Sequence, residues 1–322
     1  MKRRDPSPLN TGLILLLLVV LTVLPQIVSR FAIYLFIQIL LLSLLAMGFN
    51  LLFGYTGLLS FGHAAFYAVG AYAAGLLLKE VTPSLLLAVL FGTATSALFS
   101  LVIGFFCVRH TKIYFSMLTL AFGMMLYSLI WKWRDLTGGD DGLIGIPRGT
   151  LSIPGLFELN LRSMESYYYF VLVVCLLSTL FLYRLVHSPF GLILQGIREN
   201  AERVAFSGVS VKRYRLLAFV FSGALAGLAG TLLPPLENTL APAVAHWTKS
   251  AEPVLVSLLG GAQSFAGPII GSILFLILKE SIVRYTEYWL IWFGLILLVL
   301  VLGFRGGVVG FLHENVLTRL RR

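Results

Sequence analysis

Few side chains in this sequence combine a reactive type with a spacing that chemistry can use. His63 lies in the apolar run that opens at Gly54, and Asp140 and Asp141 sit in a GGDDG stretch. Glu80, Glu237, Glu252, Glu280 and Glu287 fall at or near the ends of apolar runs. That placement points to solvation or to snorkelling at an interface, whereas a proton-driven carrier usually holds an ionisable group midway across the bilayer. GGDDG lacks the spaced carboxylates and the closing glutamate of a calcium loop, so a tight turn with exposed acids is expected and no metal site. His63 has two readings, a substrate or proton ligand and a capping or packing histidine near a span boundary, and the second is preferred. No GxxxxGK[ST] phosphate loop occurs, nor HExxH, GxSxG or a cysteine pair at metal spacing. ATP hydrolysis by this chain is therefore not expected, and no residue is assigned a catalytic role.

These groups must be positioned by membrane helices. Of the 322 residues, 58% are hydrophobic and 12% charged, and the mean hydropathy is +0.93. That is more apolar side chain than a water-soluble domain covers. The apolar runs are roughly 20 residues long, enough at about 1.5 Å per residue to cross about 30 Å of hydrocarbon, and too long and unalternating for barrel strands. The net charge of +10 resides in short loops and span ends. It reads as orientation by the positive-inside rule, with no nucleic acid implied. Cys107 and Cys175 fall inside spans and say nothing about redox compartment.

Spans are expected over residues 13–24 and 31–53, from Gly54, and over 84–108, 114–131, 167–186, 216–233 and 288–302. The basic start, Lys2-Arg3-Arg4, puts residues 1–12 in the cytoplasm, and the first span is read as an uncleaved anchor. Small residues recur after Gly54, so that span is expected to pack closely or line a path; Gly57, Ser60 and Gly62 mark a break in it. The loop 134–166 is then extracytoplasmic. Gly223, Gly227 and Gly230 make a small-residue face in the seventh span. Residues 237–252 read as extramembrane or partly inserted, and 253–278 as one apolar stretch interrupted by Gly260, Gly261, Gly267 and Pro268, with Gly271 just beyond. One crossing there would leave the basic tail, 304–322, outside. A discontinuous segment adding a crossing restores it to the cytoplasm, so ten crossings are preferred to nine.

Residues 187–215 form the largest polar interruption between spans on the cytoplasmic side. Arg198, Arg203, Lys212, Arg213 and Arg215 outnumber Glu199 and Glu202, which agrees with the span count. Ser188 to Gly191 reads as a turn, and 192–206 as a short amphipathic helix stopped at Ser207-Gly208. Pattern alone leaves open whether that helix lies on the lipid interface or docks a soluble partner.

Four stretches together, GYTGLLSFGHAAFYAVGAYAAGLL, TGGDDGLIGIPR, SPFGLILQGIRENAERVAFSGVSVKRYRLLAFVFSGALAGLAGTL and LLGGAQSFAGPIIGS, are distributed over most of the chain. They resemble the permeases of branched-chain amino acid ABC transporters, the LivM type in particular. The span count reads as an all-α polytopic membrane protein of nine to ten transmembrane helices with Gly-rich breaks, taken as one permease domain over 1–322, and the resemblance implies that the cytoplasmic loop carries a coupling helix. Gly191, Arg198, Glu199, Asn200, Ala201 and Gly208 match the family's coupling pattern; Phe206 and Gln195-Gly196 depart from it. It also implies a LivH-type permease partner, two ATPase subunits that hold the ATP and Mg, and an extracytoplasmic substrate-binding protein, in a bacterial-type inner membrane. This chain itself would carry no cofactor. The Gly57, Ser60, Gly62, His63 region and the Gly260, Gly261, Gly267, Pro268, Gly271 region are then natural places for a translocation path, with close helix packing as the alternative. Urea or short amides are alternative substrates for such a permease. A stand-alone carrier and a membrane-embedded enzyme are the competing classes.

Overall fold

The computed structural model describes residues 19–153, 157–286, 288, 291–296, 298 and 307–312. The expected span over 13–24 is described only from residue 19, the span over 288–302 only in part, and residues 1–12, 304–306 and 313–322 lie outside the described residues.

Helix α1, Arg30–Thr56, begins where the Ser29 hydroxyl accepts from the Ala32 amide and ends at Gly57, whose φ of +74° is left-handed. The amides of Gly57 and Leu58 both turn back to the Leu52 carbonyl, which closes the helix end. The next helix therefore starts nine residues after Gly54, where the run of small residues was expected to open the span: α2 is His63–Leu76, extended by a π-helical turn, Leu77–Val81. Then come α3, Leu85–Cys107, α4, Lys112–Lys132, and α5, Met164–Val186. Next are α6, Pro189–Phe206, and α7, Val211–Thr231.

Among the described residues, six helical stretches are long and apolar enough to cross a membrane: Arg30–Thr56, His63–Val81, Leu85–Cys107, Lys112–Lys132, Met164–Val186 and Val211–Glu237. Their outer faces stay apolar. Leu90, Leu98, Leu101 and Phe105 of α3, and Val173, Leu177 and Leu180 of α5, are exposed on the isolated chain. Water would oppose such a surface and lipid accepts it, so the chain is a multi-pass membrane protein.

Helix α7 is the axis of the bundle, packed by α1, α2 and α3. Its glycines are what permit this. A Cβ on Gly227 would stand 2.1 Å from Ser96 Cβ, and one on Gly223 2.4 Å from Ser100 Cβ. The Ser96 hydroxyl, on α3, contacts both the Phe66 and Gly223 carbonyls at 3.0 Å, tying α2, α3 and α7 together. Small residues thus let backbones meet where a hydroxyl can bridge them.

Two ends of the bundle are distinguishable. At one, the sheet end, β1, Leu143–Ile144, pairs antiparallel with β4, Thr239–Leu240, joining the loops that follow α4 and α7. Tyr34, near the start of α1, also reaches Glu237 there. A second small ribbon pairs β2, Thr150–Ile153, with β3, Phe157–Asn160. The GGDDG stretch is a 3-10 turn with Asp140 and Asp141 exposed, as expected, and among the described residues no cluster suited to a metal occurs. The opposite, α6 end carries the end of α5, the start of α7 and the helix between them.

The largest difference from the sequence expectation is at 237–278. One helix, α8, Trp247–Gly260, runs across the boundary expected at Glu252, and the interrupted stretch is two antiparallel helices, α8 and α9, Gly267–Val283. Gly261, at φ 105° and ψ 102°, breaks the helix. A Cβ on Gly260 would lie 1.8 Å from the Gly267 carbonyl oxygen, and one on Gly271 2.1 Å from that of Val256. The glycines are therefore consumed by the contact between the two helices.

Candidate functional site

The break after α1 is held by hydroxyls from elsewhere. Residues 57–62 run non-helically along α4, where Ser116 donates to the Leu59 carbonyl (2.6 Å) and Thr119 accepts from the Phe61 amide (3.2 Å). Ser60 accepts from the Gly62 amide (3.3 Å), and Ser250 of α8 accepts from the Ala64 amide (2.8 Å). These contacts satisfy backbone groups that a helix start leaves free inside an apolar bundle. Gly62 is pinned as well, since a Cβ there would lie 2.7 Å from the Thr119 carbonyl.

His63 opens α2 and is fully buried, between the rings of Phe49 and Phe66. Its Nε2 is 2.7 Å from the Ser222 hydroxyl, which in turn donates to the Gly48 carbonyl at 2.6 Å. A serine has one proton to give, so Nε2 carries the imidazole proton and donates it to Ser222. Nδ1 makes no well-aligned hydrogen bond and has the Ser60 backbone as its polar neighbour. Ser43 Oγ, Asn50 Oδ1 and Ser257 Oγ are buried and unpartnered. Together they set acceptors and hydroxyls on α1, α2 and α8; among the described residues the other buried side-chain atom without a partner is Arg215 Nε, in the first turns of α7.

The two glycine-rich regions meet at the α6 end. A Cβ on Gly54 would lie 2.2 Å from the Ala262 carbonyl in the turn between α8 and α9, and Asn50, Tyr55, Phe265 and Pro268 share one small cavity. Gly57, Ser60, Gly62 and His63 are thus joined through the end of α1 to the turn that contains Gly261. Gly260, Gly267 and Gly271 face one another across the α8–α9 contact instead.

Helix α6 lies against this junction. It is helical from Pro189, so the expected turn at Ser188 to Gly191 is the helix's first turn, with proline at a position that needs no amide donor. Asn200 breaks the α-helical geometry (φ −156°, ψ 98°), and its side chain accepts from the Arg203 amide at 2.9 Å, capping a second short piece. Gly191, Leu194 and Ile197 form the buried face, and a Cβ on Gly191 would meet the Val186 carbonyl at 2.0 Å. Arg198 donates to the Gly54 carbonyl, with its stem over Gly57. Glu199 and Gly208 are exposed, Ala201 is half-buried, and Phe206 is 90% exposed. The matched positions therefore divide into Gly191, which is buried, and Arg198, which is exposed but bonded to the end of α1, and an outer set, Glu199, Asn200 and Gly208, that is exposed.

Residues 31–304 match the family described as the permease component of the branched-chain amino acid transport system. The chain belongs to this family. The permease is similar to the high-affinity branched-chain amino acid transport system permease protein LivM of Escherichia coli K12, 28% identical over 92% of this chain and 75% of that protein. It is also similar to a probable branched-chain amino acid transport permease protein LivH of Methanocaldococcus jannaschii, 29% identical over 76% and 78% of the two chains. No solved structure matches it.

Sequence reasoning passed over Asn50, Ser222, Ser250 and Ser257. Asn50 was detectable as a lone amide in a leucine-rich span. The serines were not, because a serine in an apolar run bonds its own helix as readily as a neighbour. Ser222→Ala in the permease is expected to leave His63 Nε2 without its partner and the Gly48 carbonyl without the hydroxyl that donates to it. About 1–3 kcal/mol is lost for an unsatisfied buried group. Thermal unfolding in detergent should fall by several degrees, and an unchanged midpoint would remove the His63–Ser222 pair as a fixed element of the interior.

Proposed function

We propose that the permease is the LivM-type membrane subunit of an ATP-binding-cassette importer for branched-chain or similar hydrophobic amino acids in a bacterial-type inner membrane. The observation that carries this reading is α6: a kinked helix whose inner residues hold the end of α1 and whose outer residues are left for a partner. In this reading α6 is the coupling helix, docked in a cleft of an ATPase subunit that supplies ATP and Mg, and the chain itself carries no cofactor. A LivH-type permease, two ATPase subunits and an extracytoplasmic binding protein complete the assembly. The permease domain then makes ten crossings, with α8 and α9 as two of them and predicted spans before α1 and near 288–302 as two more. This puts the α6 end and both chain termini in the cytoplasm and the sheet end outside, consistent with the positive-inside rule. Substrate passes the interior where Asn50, His63 and Ser257 present buried polar atoms beside the 57–62 break.

Reconstitution tests the reading. Leucine uptake into vesicles should require the LivH-type subunit, the ATPases, binding protein and ATP. Uptake by this chain alone on a proton or sodium gradient would overturn it. Glu199→Lys, on the outer side of α6, is expected to weaken ATPase co-purification by about tenfold while membrane insertion stays intact, since reversing a contact charge costs on the order of 1.4 kcal/mol or more. Full ATPase recovery in that variant would return α6 to an interfacial helix.

A further inference from the structure

At the sheet end, a second polar group is separate from the His63 interior. Lys249 and Glu252, one turn apart at the start of α8, form an ion pair at 2.6 Å, with side chains only 27% and 20% exposed. The Lys249 ammonium also lies 5.5 Å over the Tyr67 ring. Glu237, just past α7, accepts from Tyr34 at 2.7 Å and from Gln38 at 3.4 Å, and its charge acts on Lys249 together with that of Glu252. Gln38, Lys249, Glu252 and Lys279 line one open cavity, and Leu41, Leu45 and Phe275 make its apolar wall.

We infer that this cavity is an entry subsite for a zwitterionic amino acid, with Lys249 taking the α-carboxylate, Glu252 and Glu237 the α-ammonium, and the Leu41–Phe275 wall the side chain. The inference rests on the importer reading above. A lysine in the first turn of a helix sits at the positive end of the helix dipole, where a cation is disfavoured. The combination of Lys249 and the α8 N-terminus is instead a strong local attraction for an anion, balanced at rest by Glu252. A free amino acid brings both charges, so it can replace each half of the resting pair without leaving either ion bare in a poorly solvated place. Among the described polar groups of the His63 interior there is no such pair of opposite charges. A hydrophobic amino acid therefore finds both of its ionic partners and an apolar wall at the sheet end, before it reaches the neutral interior.

The test uses the whole importer in vesicles with binding protein and ATP, scoring radiolabelled leucine uptake, assembly and ATPase activity. Lys249→Met and Glu252→Gln should each lower uptake about thirtyfold or more, as expected for truncating one half of a partly buried charged contact, with assembly and basal ATPase retained. The double swap Lys249→Glu with Glu252→Lys restores an ion pair and suits the helix dipole, but it sets a carboxylate beside Glu237 and reverses the order in which the subsite meets the two substrate charges. It should assemble normally and remain at least about tenfold impaired. Wild-type uptake in the swap, or in Lys249→Met, would show a purely structural ion pair and overturn the inference. A wild-type importer that assembles and hydrolyses ATP but takes up no leucine would instead remove the substrate reading, and the subsite with it.

Discussion

Gly230→Ala is expected to abolish accumulation of the folded permease. The added Cβ would stand 1.9 Å from the Tyr67 carbonyl oxygen and 2.8 Å from its carbon. Both belong to the backbone of α2, so no rotamer change relieves the contact. α7 cannot retreat either, because Gly227 and Gly223 lock it on α3 within the same two turns. Overpacking costs about 1–3 kcal/mol where side chains yield, and here a whole helix must shift, against a total stability of about 5–15 kcal/mol. The monodisperse peak in fluorescence-detected size exclusion should vanish at ordinary growth temperature. Gly294→Ala is the matched control, since a Cβ at that position meets nothing within 4 Å. If Gly230→Ala elutes and melts like the parent, the close α2–α7 contact is not the one the protein uses.

That contact was legible in outline. The spacing of Gly223, Gly227 and Gly230 announced a small-residue face, and the partner it chose, the serines of α3 and the backbone of α2, depended on three-dimensional register that a single sequence does not display. The break near Gly57 was legible for the same reason: glycines and polar residues interrupt an apolar run. Where α2 restarts was not, because Thr119 and Ser250, which cap the restart, lie 57 or more residues beyond Gly62 in sequence. The α8–α9 pair shows the opposite failure. Gly260, Gly261 and Gly267 were seen as a break, but the helix before it was hidden because Lys249 and Glu252 made its first turn read as solvent-exposed. Their mutual pairing, invisible in hydropathy, is what lets charged residues sit there. Asn200 was a missed cap of a familiar kind: a side-chain acceptor followed by Ala201, Glu202 and Arg203.

Arg198→Gln is expected to separate ATP hydrolysis from transport. The guanidinium donates to the Gly54 carbonyl in the last turn of α1, one of the carbonyls that a helix end leaves open, and its cation lies at the negative end of that helix dipole. Its stem also covers Gly57, where the left-handed residue starts the break. In the coupling reading proposed above, a movement of α6 reaches the end of α1, the turn at Ala262 that touches Gly54, and the 57–62 segment that leads to His63. A hydrogen bond from a charged donor is worth about 1.5–3 kcal/mol, so uptake should fall about tenfold or more. Because the guanidinium is engaged with the end of α1, ATPase subunits should still co-purify at the parental ratio and hydrolyse ATP, which is the reverse of the Glu199→Lys outcome. Arg198→Lys, keeping the charge but not the planar fork, should recover part of the uptake. Parental uptake in Arg198→Gln would mean that α6 transmits its motion through the buried face of Gly191, Leu194 and Ile197 alone, with the α1 end as a bystander.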